Sequence, residues 1–320
     1  MSTDHLTTTS HHELAAGVLS ILAGAGIEAT AASTGVNPAD LLQALQVYQA
    51  AGLAALERRA DTQWRQLRIE FTDWSAAETI GATQLGPHLD QLQSSGAVTA
   101  WWFLRKYPCW RLRLRGTDTA AVEGLLDELT AAGLITRWWP TLYEPETTAF
   151  GGPIGMHAAH SLFCADSRGV LDYLRRSAPG LGRRELSLLL ISALLGAAGL
   201  DWFERGDVFA RVARLRPTPA DDTRLANLAD SVRALLAIPV QADSALFAPG
   251  GPTAFAAPWL AAHQTVGRQL GHAATQGRLD RGLRALLTHI VIFHWNRFGL
   301  SATTQGILAR AASTATLPRS

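Results

Sequence analysis

A chain of 320 residues, 48% of them apolar and 17% charged, is long enough to fold around one large core or two modest ones. A formal net charge of +1 provides no overall field to recruit nucleic acid or a membrane surface, so any anion site must come from a local basic cluster. Cys109 and Cys164 are too few for a disulfide framework or a cysteine-rich metal site, which favours a cytoplasmic location.

The sequence predicts no signal peptide and no membrane span. Residues 1–10 are polar and lack the apolar core of a secretory signal. The most apolar stretch, 186–200, is shorter than the roughly 20 residues that cross a bilayer. We expect this stretch to form a buried helix.

Residues 1–60 are predicted to hold a polar tail and a pair of helices, at 13–23 and 37–58. Asn37 supplies an N-cap for the second helix, and Pro38 occupies its first helical position. The pair could form a helix-turn-helix, but it offers little basic surface for phosphates. The expectation is therefore a helical lid that binds no nucleic acid.

From residue 66 the hydrophobic period changes from 3.6 to 2, which marks the start of a sheet. Strands are predicted at 66–72, 98–105, 110–115 and 135–142, with helices at 76–93 and 120–132. The order β-α-β-β-α-β is the split unit of ferredoxin-like domains. We therefore predict a four-stranded antiparallel sheet over about 66–142, with both helices on one face.

Every long segment after Gly151-Gly152-Pro153 is predicted to be helical. The segments are 153–165, 167–176, 184–196, 201–215, 221–236, 253–275, 279–298 and 303–312. Asp166 and Ser167 are predicted to cap the second of them. The fold class is thus α+β, with residues 1–60 as a tail and helical pair and residues 61–320 as one domain.

The third strand alternates arginines with apolar residues. The apolar set is Trp110, Leu112 and Leu114, and the basic set is Arg111, Arg113 and Arg115. Successive side chains of a strand point to opposite faces, so the arginines share a face at intervals of about 7 Å. Guanidinium groups suit bidentate capture of carboxylates. The spacing also fits a solvated face or ion pairs with Glu144 and Glu146, and both interpretations stay open at this point.

Three motifs resemble those of a known family. Trp101-Trp102-Phe103-Leu104-Arg105-Lys106-Tyr107-Pro108, followed by residues 109–115, resembles its aromatic-rich hairpin. Tyr143-Glu144-Pro145-Glu146, Phe150-Gly151-Gly152-Pro153 and Leu162-Phe163-Cys164-Ala165-Asp166-Ser167 resemble its second signature, and Phe293-His294-Trp295-Asn296-Arg297-Phe298-Gly299-Leu300 resembles its C-terminal helix signature. The chain is therefore similar to the thiopeptide-type bacteriocin biosynthesis proteins, a family that includes the C-terminal domain of lantibiotic dehydratases.

This resemblance implies a lyase in the biosynthesis of a ribosomally made, post-translationally modified peptide. In lantibiotic dehydratases the corresponding domain takes a Ser or Thr of a precursor peptide that is already esterified with glutamate. It removes the α-proton and expels glutamate, which leaves dehydroalanine or dehydrobutyrine. The expected partners are the precursor peptide and a separate glutamylating dehydratase subunit. The reaction requires no metal or redox cofactor, and none is expected.

The resemblance also implies the site residues. Arg111 and Arg113 fall on the family's paired arginines and His294 lies in its histidine-bearing helix, so these three are the expected catalytic residues. The expected substrate-binding residues are Arg105, Arg115, Glu146, Asn296 and Arg297.

Two departures from the family pattern affect this assignment. Ala149 stands where dehydratases often have Arg, and Ile292 stands where they often have His, four residues before Asn296. His294 is two residues before Asn296, about 200° of helical rotation from it. His289, seven residues before Asn296, is therefore a second candidate for the base.

His157 and His160 lie three residues apart on a predicted helix, a spacing that could serve a metal ion. No carboxylate follows three or four residues later. We therefore expect these two histidines to have a packing or surface role.

Two other functions stay open. Thiopeptide pyridine synthases use a related scaffold to join two dehydroalanines in a formal [4+2] cycloaddition, and a non-catalytic subunit could present the peptide to another enzyme. The arginine row favours elimination, because neutral dehydroalanines give it less to bind. The departures at Ala149 and Ile292 favour the alternatives.

Overall fold

The computed structural model describes residues 11–61, 64–116, 120–218, 222–240 and 244–317, so the predicted tail at 1–10 lies outside the described residues. Backbone contacts divide the chain into two units, residues 1–60 and 61–320. The helices of the first unit are α1 (His11–Leu22), α2 (Ile27–Thr34) and α3 (Pro38–Asp61). The predicted cap of α3 is present, because Asn37 Oδ1 accepts a hydrogen bond from the backbone N–H of Ala39 at 2.8 Å.

The sequence analysis missed α2. This helix has eight residues, most of them small, and Gly26 and Gly35 flank it. Such a segment lacks the apolar stripe from which a helix is usually identified.

The second unit begins with the predicted sheet. Its strands are β1 (Arg65–Phe71), β2 (Val98–Lys106), β3 (Cys109–Gly116) and β4 (Ile135–Thr141). The spatial order is β2-β3-β1-β4, and every pair is antiparallel. This arrangement confirms the ferredoxin-like prediction.

The helices of the split unit are α4 (Ala77–Ile80), α5 (Gly86–Ser94) and α6 (Ala120–Ala131). One helix was predicted over 76–93, but a π-helical turn (Gly81–Leu85) separates α4 from α5. Trp110, Leu112 and Leu114 of β3 are fully buried in the core formed with these helices, so the predicted alternation is confirmed. Gly81 lies so close to the Trp110 ring that a Cβ there would overlap it.

The rest of the described chain is helical, as predicted. The helices are α7 (Gly152–Leu174), α8 (Arg183–Ala197), α9 (Trp202–Leu215), α10 (Asp222–Leu236), α11 (Ala257–Thr275), α12 (Leu283–Arg297) and α13 (Ala302–Thr316), with a short 3-10 helix (Ala254–Ala256) before α11. In the parts of the chain that the structure describes, no helix combines the length and apolar character that a membrane crossing requires.

The predicted cap at Asp166 and Ser167 is wrong. The two helices predicted at 153–165 and 167–176 form the single helix α7, and both polar residues lie inside it, almost completely buried. Their side chains bind groups of other elements, so the helix continues through them without a break.

Side chains of the helical half occupy the free edge of β2. The backbone N–H of Phe103 donates to Ser167 Oγ of α7 at 3.0 Å, and Arg297 Nε of α12 donates to the Phe103 carbonyl at 2.9 Å. An edge strand has unpaired backbone groups that must find partners when they are buried. These two bonds join the helices to the sheet.

We predict opposite effects from two glycine substitutions. Gly81→Ala would force a methyl group into the buried Trp110 ring and should destabilise the fold by about 1–3 kcal/mol. Gly124→Ala, in the exposed part of α6 where a Cβ meets open space, should stabilise it by up to about 1 kcal/mol. Urea unfolding measures both changes, and equal effects of the two variants would contradict the tight packing of the π-helical turn.

Candidate active site

The second face of the sheet gathers basic side chains. The strand register places Gln66 opposite Arg113 and Arg68 opposite Arg111, and Arg115 follows on the same face. Like charges directly opposite each other on neighbouring strands repel and destabilise a sheet. A cluster of this kind is therefore well suited to bind an anion.

Arg113 is the most buried member of this cluster, with 5% of its surface exposed. Its Nε donates to Gln66 Oε1 at 2.8 Å, and its guanidinium lies 4.1 Å from the Trp102 ring and 4.9 Å from the Tyr143 ring. Burial lowers the pKa of Arg113 to about 10, so the group remains charged at neutral pH. Its buried Nη1 has no acceptor among the described residues. A buried donor without an acceptor is unfavourable, and an acceptor supplied by a ligand would satisfy it.

Neighbouring charges act on both Arg111 and Arg113. Burial, followed by the nearby charge of Arg68, lowers the pKa of Arg111, whereas the carboxylate of Glu146 opposes that shift. The Glu146 charge also acts on Arg113, although Glu146 itself is exposed. The structure thus brings Arg111, Arg113 and Glu146 together.

Tyr143 and His160 form a hydrogen-bonded pair beside Arg113. The Tyr143 hydroxyl lies 2.7 Å from His160 Nε2. His160 is 4% exposed, and its ring is 5.1 Å from that of Trp64 and 6.0 Å from that of Trp102. The expected packing role fits this environment, but the hydrogen bond adds a possible route for a proton.

A cavity of about 230 Å³ lies next to this pair. It is lined by Trp64, Gln93, Thr99, Ala100, Arg115, His157, His160, Ser161, Cys164 and Arg168. The Arg115 guanidinium stacks 5.5 Å from the Trp64 ring, so the arginine row continues into the cavity wall. Burial raises the pKa of the Cys164 thiol to about 11, which makes it a poor nucleophile at neutral pH.

His294 lies in a different environment. It is 2% exposed, its Nδ1 is 2.7 Å from Asp166 Oδ1, and its Nε2 is 3.2 Å from Ser187 Oγ. Ser187 Oγ also accepts a hydrogen bond from Trp295 Nε1 at 2.6 Å. Both ring nitrogens of His294 are therefore engaged within the helical half, by Asp166 of α7 and Ser187 of α8.

Arg297 belongs to the same interior network. Its side chain is fully buried and forms an ion pair with Asp166, which also accepts a hydrogen bond from Trp259 Nε1 at 2.8 Å. Burial alone would raise the pKa of Asp166, but the charges of His294 and Arg297 hold this pKa well below its ordinary value.

The other expected residues are also engaged elsewhere. Arg105 points to the helix-covered face of the sheet, where it forms an ion pair with Glu78, and Asn296 Oδ1 accepts from Gln305 Nε2 at 2.8 Å. His289 is half-buried, with its ring 6.3 Å from that of Phe150 and its Nδ1 2.9 Å from the Ala285 carbonyl oxygen.

Among the described residues, one trio could in principle hold a metal ion. Ligand atoms of Asp166, His263 and His294 lie within 4.8 Å of one another, all buried. The Asp166 oxygens already bind Arg297, Trp259 and His294, and the Arg297 charge balances the carboxylate. We therefore interpret the trio as a hydrogen-bonded network that stabilises the fold.

Sequence reasoning missed Gln66, Trp102, Tyr143 and Asp166 as parts of these two networks. Tyr143 belongs to the second motif, which by itself indicates no role for it. Two features of the sequence could have indicated a role for Tyr143. It comes shortly after β4, which pairs with β1, and β1 pairs in turn with the arginine-bearing strand β3. His160 lies on the helix that follows. Asp166 gave no such signal, because its partners are distant in the sequence.

The family model described as lantibiotic biosynthesis dehydratase C-terminal matches residues 64–316. This range covers most of the chain, and the protein therefore belongs to that family, whose members act in the biosynthesis of ribosomally made, modified peptides. No curated protein matches the sequence.

The solved structures that share the fold include a lantibiotic dehydratase, TsrL and a pyridine synthase. The chain is 19% identical to the tRNA-dependent lantibiotic dehydratase MibB from Microbispora sp. 107891, with a TM-score of 0.59 over 78% of this chain and 28% of the MibB chain. It is 16% identical to TsrL (TM-score 0.55, 80% and 99% covered) and 12% identical to TbtD, a pyridine synthase from thiomuracin biosynthesis (TM-score 0.59, 79% and 97% covered). At these identities the likeness shows the fold alone.

We predict that the charge of Asp166 is essential for stability. Asp166→Asn would leave Arg297 buried without a counter-ion and should destabilise the protein by about 3–5 kcal/mol. The control is Asp172→Asn on the same helix. Its carboxylate pairs with Arg175 and Arg176 at the surface, so the change should stay within about 0.5 kcal/mol. Comparable losses in the two variants, measured by urea unfolding, would argue against the central role of Asp166.

A second prediction concerns acid stability. Burial lowers the pKa of His263 to about 4 from its ordinary 6.5, so the unfolded chain binds a proton there before the folded one does. The contribution of the neutral His263 to the free energy of unfolding should therefore be fully present above pH 6.5. It should be lost as the pH drops toward 4, and the free energy of unfolding should fall by about 2 kcal/mol between pH 7 and 4.5. In His263→Gln this contribution should vanish, and the unfolding free energy should depend less steeply on pH. Equal slopes for the two proteins would contradict a neutral buried imidazole.

Proposed function

We propose that the protein is a lyase that expels glutamate from glutamylated Ser or Thr residues of a precursor peptide and leaves dehydroamino acids. Residues 61–320 would form the catalytic unit, residues 1–60 an accessory tail and helical pair, and a separate subunit would supply the glutamyl ester. We also propose a cytoplasmic location, consistent with two free cysteines. The observation that carries the proposal is the buried, incompletely bonded guanidinium of Arg113 within a cluster of like charges.

Charge complementarity supports this reaction. A glutamyl ester brings a free carboxylate, and glutamate leaves as a second one. One N–H of Arg113 has no acceptor within the described ranges of the chain, and the Trp102 and Tyr143 rings shield it from water. Electrostatic stabilisation is strongest in such a preorganised, dry site. Neutral dehydroalanines, the substrates of a cycloaddition, would leave this charge unsatisfied.

The neighbouring residues divide the binding between them. We assign Arg111 and Arg113 to the glutamyl carboxylate and the leaving group, and Arg115 with its cavity to the adjacent part of the substrate. Glu146, exposed beside the arginines, would bind the peptide and limit repulsion between the guanidiniums when the site is empty.

The four remaining expected residues have supporting roles. His294 and Arg297 would hold the helices against the sheet through Asp166, and Asn296 would join α12 to α13 through Gln305. The ion pair of Arg105 with Glu78 would support the opposite face of the sheet, and none of the four would contact the substrate in this proposal.

The experiment mixes the purified protein with a precursor peptide that carries glutamate on Ser or Thr, without ATP, metal or tRNA. We expect free glutamate and a dehydrated peptide by mass spectrometry. Arg113→Lys keeps the charge but loses the planar fork, so the elimination rate should fall by more than about tenfold. Arg137→Lys, an exposed arginine on the edge strand β4, is the matched control and should keep the wild-type rate.

Other products identify the alternatives. A glutamylated peptide that returns unchanged, together with cyclisation of a peptide that contains two dehydroalanines, would replace the proposal with pyridine synthesis. If both peptides return unchanged, a subunit that only presents the peptide is the remaining interpretation.

A further inference from the structure

We propose that Tyr143 is the catalytic base for α-proton removal and that His160 is the positioning residue that accepts the phenolic proton from it. The inference rests on the proposed elimination. Both residues lie on the arginine face and not in the interior network of His294. No motif of the family identifies either of them as the base.

The position of Tyr143 suits a base at this site. Its half-buried ring lies against the Arg113 guanidinium, 4.9 Å from it, so a substrate carboxylate bound to Arg113 would bring the peptide close to the phenol. The permanent charge of Arg113 favours a phenolate that develops during proton transfer. The same charge favours the enolate that develops on the substrate.

The position of His160 suits a proton acceptor behind the phenol. Its Nε2 lies 2.7 Å from the Tyr143 oxygen, which is hydrogen-bond distance. The rings of Trp64, Trp102 and Phe163 surround the His160 imidazole and hold it in place behind the phenol. His160 also lines the 230 Å³ cavity, which provides an exit for the proton to water.

Tyr143 Oη takes the α-proton while its own proton moves to His160 Nε2. The electrons of the Cα–H bond form the Cα=Cβ double bond, and the Cβ–O bond of the ester breaks. Glutamate leaves with the electron pair of the Cβ–O bond, as a carboxylate held by Arg113. His160 afterwards releases the proton that it accepted to water.

Other titratable groups are less suited to this role. Both nitrogens of His294 are bonded inside the helical half. His289 lies beside Phe150 in another part of the helical half. Glu146 is exposed to solvent, and its carboxylate acts on the charges of Arg111 and Arg113.

The test compares wild type with Tyr143→Phe and His160→Gln on the glutamylated peptide, with protonated and α-deuterated Ser. We expect kcat to fall about 100-fold or more in Tyr143→Phe and at least tenfold in His160→Gln, whose amide still accepts the Tyr143 hydrogen bond but cannot take a proton. KM should change less than threefold, because the arginines remain. The deuterium isotope effect should increase in both variants, since α-proton removal becomes fully rate-limiting, an increase that a purely structural defect would not produce.

His272→Gln is the matched control, because this histidine is exposed in the last turn of α11 and does not line the cavity. It should keep the wild-type kcat and isotope effect. The roles of Tyr143 and His160 would be overturned if their variants kept kcat within threefold of wild type, or lost kcat with an unchanged isotope effect. In either case glutamate release by the wild-type protein would still support the proposed elimination. A wild-type protein that releases no glutamate would overturn the elimination and this inference together.

Discussion

The neutralisation of one buried carboxylate is the constraint on which the second unit of this structure depends. Asp166 lies within α7 and binds Arg297 and His294 of α12 and Trp259 of α11. Arg297 in turn donates to the Phe103 carbonyl of β2. A buried charge is tolerated only with such complete pairing, so the interaction fixes three helices and the sheet edge relative to one another.

This interior network and the arginine face share one wall. The Trp102 ring lies 5.8 Å from the Arg297 guanidinium and 4.1 Å from that of Arg113. The same helix, α7, carries Asp166 inward and His160 toward the face of the sheet. A change in the packing of α7 would therefore alter both the stability of the helical half and the geometry around Arg113.

Local periodicity was enough to predict the sheet, the helical half and the face that carries Arg111 and Arg113, because alternation in a strand and period 3.6 in a helix are short-range properties. It could not predict the partners of Asp166, because His294 lies 128 residues away in the sequence and Arg297 lies 131 residues away. A short polar pair between apolar segments has the same local pattern as a helix cap. The motif match likewise could identify the helix of His294 but not its surroundings.

The way in which the helical half closes the edge of β2 also limits how a flexible chain can approach. At Phe103 both backbone groups are already bonded, the N–H to Ser167 and the carbonyl to Arg297. An extended segment therefore cannot pair with β2 at that point as an additional strand. A peptide that approaches the arginines past this point of β2 would instead cross the sheet face, with its backbone groups left to side chains and water. Recognition would then depend on a few side-chain contacts and tolerate variation in the sequence on either side of the modified residue.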